Sequence, residues 1–338
     1  MKKIISGLVL GCLAIMPPLA AMAADHKLII SSWASPQHGI NAKMWPRFIE
    51  MIEEATDGRV TAELKLDLGP PPAQTDLIQD GIADVAIIAH SYQPGRFPST
   101  KLAELPGYTA STEALSAAYW RAYDKYMKKA NEHRGLKLLA LHTNGAAQLH
   151  SNKKVTQLKQ VEGMKLRSTG DAMARMLNEL GASGIQVPAP KVYETLSSNA
   201  ADGVLMPLEA RVGFRLTEIA QNAYTMPGGF GRFSFAFVMN EDVFNALPID
   251  IRQKLDEKVF GEPLSRELGR IWDEIDEVGI IGTLETEGNT INAANKSDQA
   301  EFVRKTAKVT QDIINEAKAK GINTEAVVEI LKNAANEK

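Results

Sequence analysis

After a short leader, the chain alternates brief apolar runs with amphipathic segments along its length, and that alternation confines it to α/β folds. Leu28-Ile29-Ile30, Val60–Leu66, Asp84–Ala89 and Leu136–Leu141 read as strands. Helical segments separate them at 38–56, where Met44, Trp45, Phe48, Ile49 and Ile52 share a face, after Pro70-Pro71-Pro72, and near 112–131. The pattern restarts near residue 146. Met164–Leu166 is a strand running into Arg167, a helix begins around Asp171 with Thr169 or Asp171 as its cap, Lys191–Ser198 is another helix, and Val204-Leu205 is a short strand ahead of Pro207. Arg232–Met239 alternates cleanly, and its ladder of Phe233, Phe235, Phe237 and Met239 is assigned to the core.

From Ile251 onward the spacing of Ile251, Leu255, Val259, Leu264, Leu268, Trp272 and Ile275 is helical and long enough to cross two lobes, with Gly261 and Pro263 as bend points. Met44, Trp45 and Trp272 are taken as core. The expected organisation is a signal peptide over 1–23 and lobe I over 24–145, with part of 240–300 returning to it. Lobe II covers 146–239, and 249–338 forms the connecting helix and C-terminal helices packing on both lobes. The sheets are expected to be largely parallel.

Lys2 and Lys3, the apolar run Ile4–Met16 and Ala21-Met22-Ala23 make the three parts of a secretory leader cut after Ala23. Val9-Leu10-Gly11-Cys12 leaves lipidation at Cys12 as an alternative. Cleavage after Ala23 removes the single cysteine, and with it disulfides, thiolate metal sites and cysteine nucleophiles. The mature net charge becomes −5, from 36 basic residues against 41 acidic. With no basic stripe, nucleic acid is excluded as a partner.

In open α/β sheets, ligands sit beyond the carboxyl ends of parallel strands. That rule selects Trp33, His90, Tyr92, Arg167, Leu205 and Met206, drawn from both lobes. Arg167 has two readings. Its planar guanidinium either grips a ligand carboxylate or pairs with a neighbouring Asp or Glu. In the first reading, closing the cleft buries the charge unless an anion accompanies it, which couples capture to closure. His38, His90, His142 and His150 fall in no metal-binding spacing, Pro227-Gly228-Gly229-Phe230-Gly231 lacks the Lys-Ser/Thr of a phosphate loop, and no G-x-S-x-G elbow occurs.

Gly163-Met164-Lys165-Leu166-Arg167, Val192-Tyr193-Glu194 and Asn199-Ala200-Ala201-Asp202-Gly203 followed by Pro207 resemble the solute-binding subunits of TRAP transporters, the DctP family. Ala55-Thr56-Asp57-Gly58-Arg59-Val60 and Asp80-Gly81-Ile82-Ala83-Asp84 match it too. The resemblance implies an α/β, two-lobed periplasmic binding protein (type II-like) with a long helix connecting the lobes. It implies periplasmic location, no enzymatic turnover, and delivery of a small organic anion to small and large membrane subunits. It also places a ligand carboxylate on Arg167. Two departures bear on the ligand. Met206 stands where sialic-acid-type members carry asparagine, and near Ala147, where they carry a second arginine, only Gln148 and His150 are close. Both favour one carboxylate or sulfonate on a compact, partly apolar or aromatic body. The candidate ligand-binding residues are therefore Arg167, Trp33, His38, His90, Tyr92, Gln148, Leu205, Met206, Phe230 and Arg232. No catalytic residue, metal set or cofactor is expected, and the mature chain is expected to be a monomer. The competing readings are a receptor serving a sensor or an ATP-driven importer, and a periplasmic hydrolase or lyase.

Overall fold

The computed structural model describes residues 24–337; the leader, Cys12 and the cut expected after Ala23 lie outside the described residues. In chain order the strands are β1 His26–Ser32, β2 Val60–Leu66, β3 Val85–Ala89, β4 Lys137–Thr143, β5 Gln148–Ser151, β6 Lys165–Ser168, β7 Ser183–Gln186, β8 Gly203–Met206, β9 Asn222–Thr225, β10 Ser234–Met239 and β11 Thr290–Ala293. They form a five-stranded sheet ordered β2-β1-β3-β10-β4 and a six-stranded sheet ordered β11-β9-β5-β8-β6-β7. The central Val-Ala-Ile-Ile-Ala of β3 is buried at every position, as a strand covered on both faces must be.

Both sheets are mixed but largely parallel, as expected, with one reversed strand in each. β10 runs antiparallel to β3 and β4, and β5 runs antiparallel to β8 and β9. The boundary of the second lobe is corrected. β10 belongs to the first sheet, so the chain has returned there before residue 240. An alternating apolar ladder shows that a strand has one buried face but is silent about which sheet it joins. β7, β9 and β11, of four residues each, fall outside the expected strands because so short a segment carries almost no periodicity.

The chain thus crosses between sheets after β4 and before β10, and the two crossing segments are bonded to each other. Ala147 N–H donates to Gly231 O and Phe230 N–H to Ala147 O, both at 2.8 Å, and Asn144 N–H donates to Phe233 O at 3.2 Å. The third link is one helix, Glu262–Glu285, 24 residues long. Gly261 and Pro263 do not bend it; they start it. Gly261 sits at φ 87, left-handed backbone that suits glycine, and Pro263 lies in the first turn, where its missing N–H costs nothing.

Gly269, Asp273, Asp276, Gly279 and Thr283 lie three or four residues apart on that helix and so share a face. Asp273 accepts from Thr112 N–H at 2.8 Å and Glu113 N–H at 2.9 Å, capping the helix Thr112–Ala122 of the first lobe. Asp276 accepts from Glu209 N–H at 2.7 Å in the second lobe, and Thr283 accepts from Arg211 Nε at 2.9 Å. The two glycines let foreign backbone approach: a Cβ on Gly269 would stand 2.4 Å from Thr112 O, and one on Gly279 2.1 Å from Leu208 O. One helix therefore sets both lobes around the space between them.

Candidate functional site

A small cavity lies between the two sheets, walled by Trp33, Ala89, Tyr92, Asn144, Arg167, Thr169, Ala189, Met206, Glu209, Phe214, Phe233, Phe235 and Trp272. Its volume is only about 30 Å³, so the walls stand close together. Parallel strands contribute their carboxyl ends, with Trp33 after β1, Tyr92 after β3 and Met206 closing β8. The antiparallel β10 contributes its opposite end, Phe233 and Phe235, because its direction is reversed. Both are buried in the core, as expected, and so is Trp272, but all three are also walls of the cavity. Phe237 is core alone and packs on Trp45 with ring centroids 4.6 Å apart.

The aromatic walls are held from behind. Phe235 stacks on Trp272 at 5.9 Å and on His142 at 5.2 Å, and the Trp272 indole N–H donates to His142 Nδ1 at 3.0 Å. Burial pushes His142 down to about 3, so its ring stays neutral and keeps accepting that bond.

Arg167 is fully buried in β6, and among the described residues no carboxylate pairs with it. Its Nε donates to Val187 O at 2.8 Å, its Nη2 lies 3.4 Å from the Tyr92 hydroxyl, and its Nη1 has no partner among the described residues. Burial lowers its pKa, which remains that of a cation because a guanidinium holds its proton far above neutrality. Tyr92 joins the lobes here, its hydroxyl accepting from Ala189 N–H at 2.8 Å. Asn144 stands at the crossing after β4. Its Oδ1 accepts from Phe233 N–H at 3.1 Å, which fixes the amide and leaves the Nδ2 donors uncommitted among the described residues.

Of the expected site residues, Arg167, Trp33, Tyr92 and Met206 meet at the cavity. His38 stands just behind it, its ring 4.9 Å from Phe214 and its Nε2 3.4 Å from Glu209 Oε2. The others do not reach it. Leu205 points to the opposite face of β8 from Met206 and is core. Gln148 clamps the second crossing, donating to Met226 O at 3.2 Å and accepting from Met226 N–H at 2.8 Å. Phe230 packs on Phe302 at 5.2 Å. Arg232 spends its guanidinium on Asn144 O, Tyr108 O, Ala110 O and Thr112 Oγ1.

His90 is drawn into a buried chain on another side of β10. Its Nδ1 meets Ser234 Oγ at 2.9 Å and its Nε2 meets His133 Nε2 at 2.9 Å, while Ser234 Oγ donates to Glu104 at 2.8 Å. Burial raises the Glu104 carboxyl to about 7, although its bonds from Ser234 oppose the shift. Between about pH 4.5 and 7 the folded chain then holds a proton that the unfolded chain has released, so stability falls as pH rises through that window and levels off above it. Asp276 is raised to about 7 as well, again by burial. The buried His90, His133, His142 and His150, whose pKa values burial lowers, add a pH dependence of opposite sign, so the carboxyl contribution is read as the difference between wild type and variant in urea denaturation at pH 5 and pH 7.5. Glu104→Gln should change the stability difference between the two pH values by about 3 kcal/mol, and adding Asp276→Asn by about as much again. A stability difference unchanged in the double variant would contradict the assignment.

Comparison with known proteins places this geometry. A family model described as bacterial extracellular solute-binding protein, family 7 (DctP), matches residues 30–317. A TRAP periplasmic solute-binding protein from Bordetella bronchiseptica, solved with bound (R)- and (S)-mandelate, is 34% identical, covering 92% of this chain and 98% of that one, with a TM-score of 0.86. A marine metagenome TRAP protein specific for aromatic acid ligands, solved with metahydroxyphenylacetate, is 27% identical over 92% and 98% of the two chains, with a TM-score of 0.83. A TRAP protein from Rhodoferax ferrireducens with copurified benzoate is 26% identical over 92% and 97%, with a TM-score of 0.84.

Proposed function

This chain belongs to the DctP family of TRAP solute-binding proteins, and on that premise we propose that it captures a compact aromatic monocarboxylate in the periplasm and delivers it to the small and large TRAP membrane subunits. The family binds small organic acids and carries out no enzymatic turnover. The observation that carries the finer reading is Arg167: a buried guanidinium with Nη1 unpartnered among the described residues, facing a cavity half of whose other walls are aromatic. A buried cation calls for an anion, and a bidentate carboxylate fits its planar fork. Among the described residues only this one arginine lines the cavity, which suits one carboxylate and opposes a dicarboxylate or sugar acid. Trp33, Phe214, Phe233, Phe235 and Trp272 suit a flat apolar body. The mandelate, metahydroxyphenylacetate and benzoate bound by the similar proteins have that shape and charge.

The test is a thermal-shift screen. Ligand at a hundredfold excess over its Kd adds about 2.7 kcal/mol to the native state. Benzoate, phenylacetate and mandelate are expected to raise Tm by several degrees, and succinate, galacturonate and sialic acid to leave it within about one degree. A larger shift with the dicarboxylate or sugar acids would overturn the reading.

A further inference from the structure

The cavity holds an acid as well as a cation. Glu209 is 4% exposed and lines the same space as Arg167, yet no ion pair within 4.0 Å joins them and no Lys or Arg reaches its carboxylate among the described residues. Its place is built from three sides. Asp276 of the connecting helix holds its N–H at 2.7 Å. His38 of the first lobe brings Nε2 to 3.4 Å from Oε2 without completing a hydrogen bond to it, while its Nδ1 accepts from Ile40 N–H at 3.2 Å. Gly213 leaves room for the pair: a Cβ there would stand 2.5 Å from Glu209 Oε2 and 3.1 Å from His38 Cδ2.

A carboxylate only accepts hydrogen bonds, and its two oxygens have about four lone-pair directions, more than one imidazole can satisfy. An occupant that turns its own carboxylate toward Glu209 is repelled, and one that presents only C–H surface strands a buried acceptor. The favourable pose puts the occupant's carboxylate on Arg167 and a neutral donor on Glu209. We infer that the solute is a hydroxylated aromatic monocarboxylate, with its hydroxyl donating to Glu209 and with His38 as the positioning residue behind that acceptor. This inference rests on the aromatic-carboxylate reading of the Arg167 cavity.

Isothermal titration of the wild type and Glu209→Gln with benzoate, 3-hydroxybenzoate, 4-hydroxybenzoate, phenylacetate and mandelate tests it. At least one hydroxylated acid is expected to bind the wild type about ten- to a hundredfold tighter than its unhydroxylated parent, the usual worth of a bond to a charged acceptor. In Glu209→Gln that gap should fall to about threefold or less, since a neutral amide oxygen remains to accept. Hydroxylated acids that bind the wild type no better than their parents overturn the inference and leave the aromatic-carboxylate reading standing. A gap that survives Glu209→Gln removes Glu209 as the acceptor. Failure of every acid in the panel to bind overturns both readings together.

Discussion

Arg167→Ala weakens aromatic carboxylate binding by about 2–5 kcal/mol, roughly thirty- to five-thousandfold, measured by isothermal titration against the wild type. The size follows from where the guanidinium stands. It is fully buried, anchored by Nε on Val187 O at 2.8 Å and steadied by Tyr92 at 3.4 Å, so Nη1 is presented to the cavity with little freedom left to lose on binding. Removing it leaves the solute's carboxylate among aromatic walls with only neutral donors, such as Asn144 Nδ2 and the Thr169 hydroxyl, in place of the lost charge. Arg167→Lys is not expected to rescue, because an ammonium cannot both hold Val187 O and offer a planar fork. The variant has a second readout. It removes a buried cation that no ion pair compensates but also strands Val187 O, and these effects oppose each other, so the Tm of the unliganded protein should move by a few degrees at most while the ligand-induced shift disappears. A variant that melts earlier yet binds normally would make Arg167 a structural residue.

That separation of binding from stability also marks what could be read from the sequence. Trp33, Tyr92, Arg167 and Met206 were legible because strand ends in an α/β fold point at the cleft, and the first lobe's parallel strands are strong apolar runs. The same rule selected His90 and missed Phe233, for one reason: it takes no account of an antiparallel strand. β10 enters the sheet backwards, so its first residues meet the cleft, and its Ser234 draws His90 into the Glu104 chain instead. Glu209 and Asn144 had no local signal. Glu209 is placed by Asp276, 67 positions along the chain, and Asn144 by Phe233, 89 positions along. Arg232 and Gln148 were chosen for their chemistry, which can bind backbone as well as solute, and sequence does not distinguish the two uses.

Arg232→Met separates those uses. Arg232 is 5% exposed and donates to Asn144 O at 2.9 Å, Ala110 O at 3.0 Å, Tyr108 O at 3.2 Å and Thr112 Oγ1 at 3.2 Å. One side chain therefore ties the loop before the helix Thr112–Ala122 to the first crossing between lobes. Methionine keeps much of the volume and removes every donor, leaving three backbone carbonyls without that partner in a buried site. Each stranded acceptor costs about 1–3 kcal/mol, and partial relaxation keeps the total below their sum, so the expected loss is about 3–5 kcal/mol of unfolding free energy in urea. The folded variant should still bind its aromatic acid within about threefold of the wild type, since Arg232 does not line the cavity and Arg167 is untouched. The paired result, a large stability loss with affinity preserved, is the reverse of that for Arg167→Ala. If Arg232→Met instead abolished binding at wild-type stability, Arg232 would be a solute contact, and the division of labour between the two buried arginines would have to be redrawn.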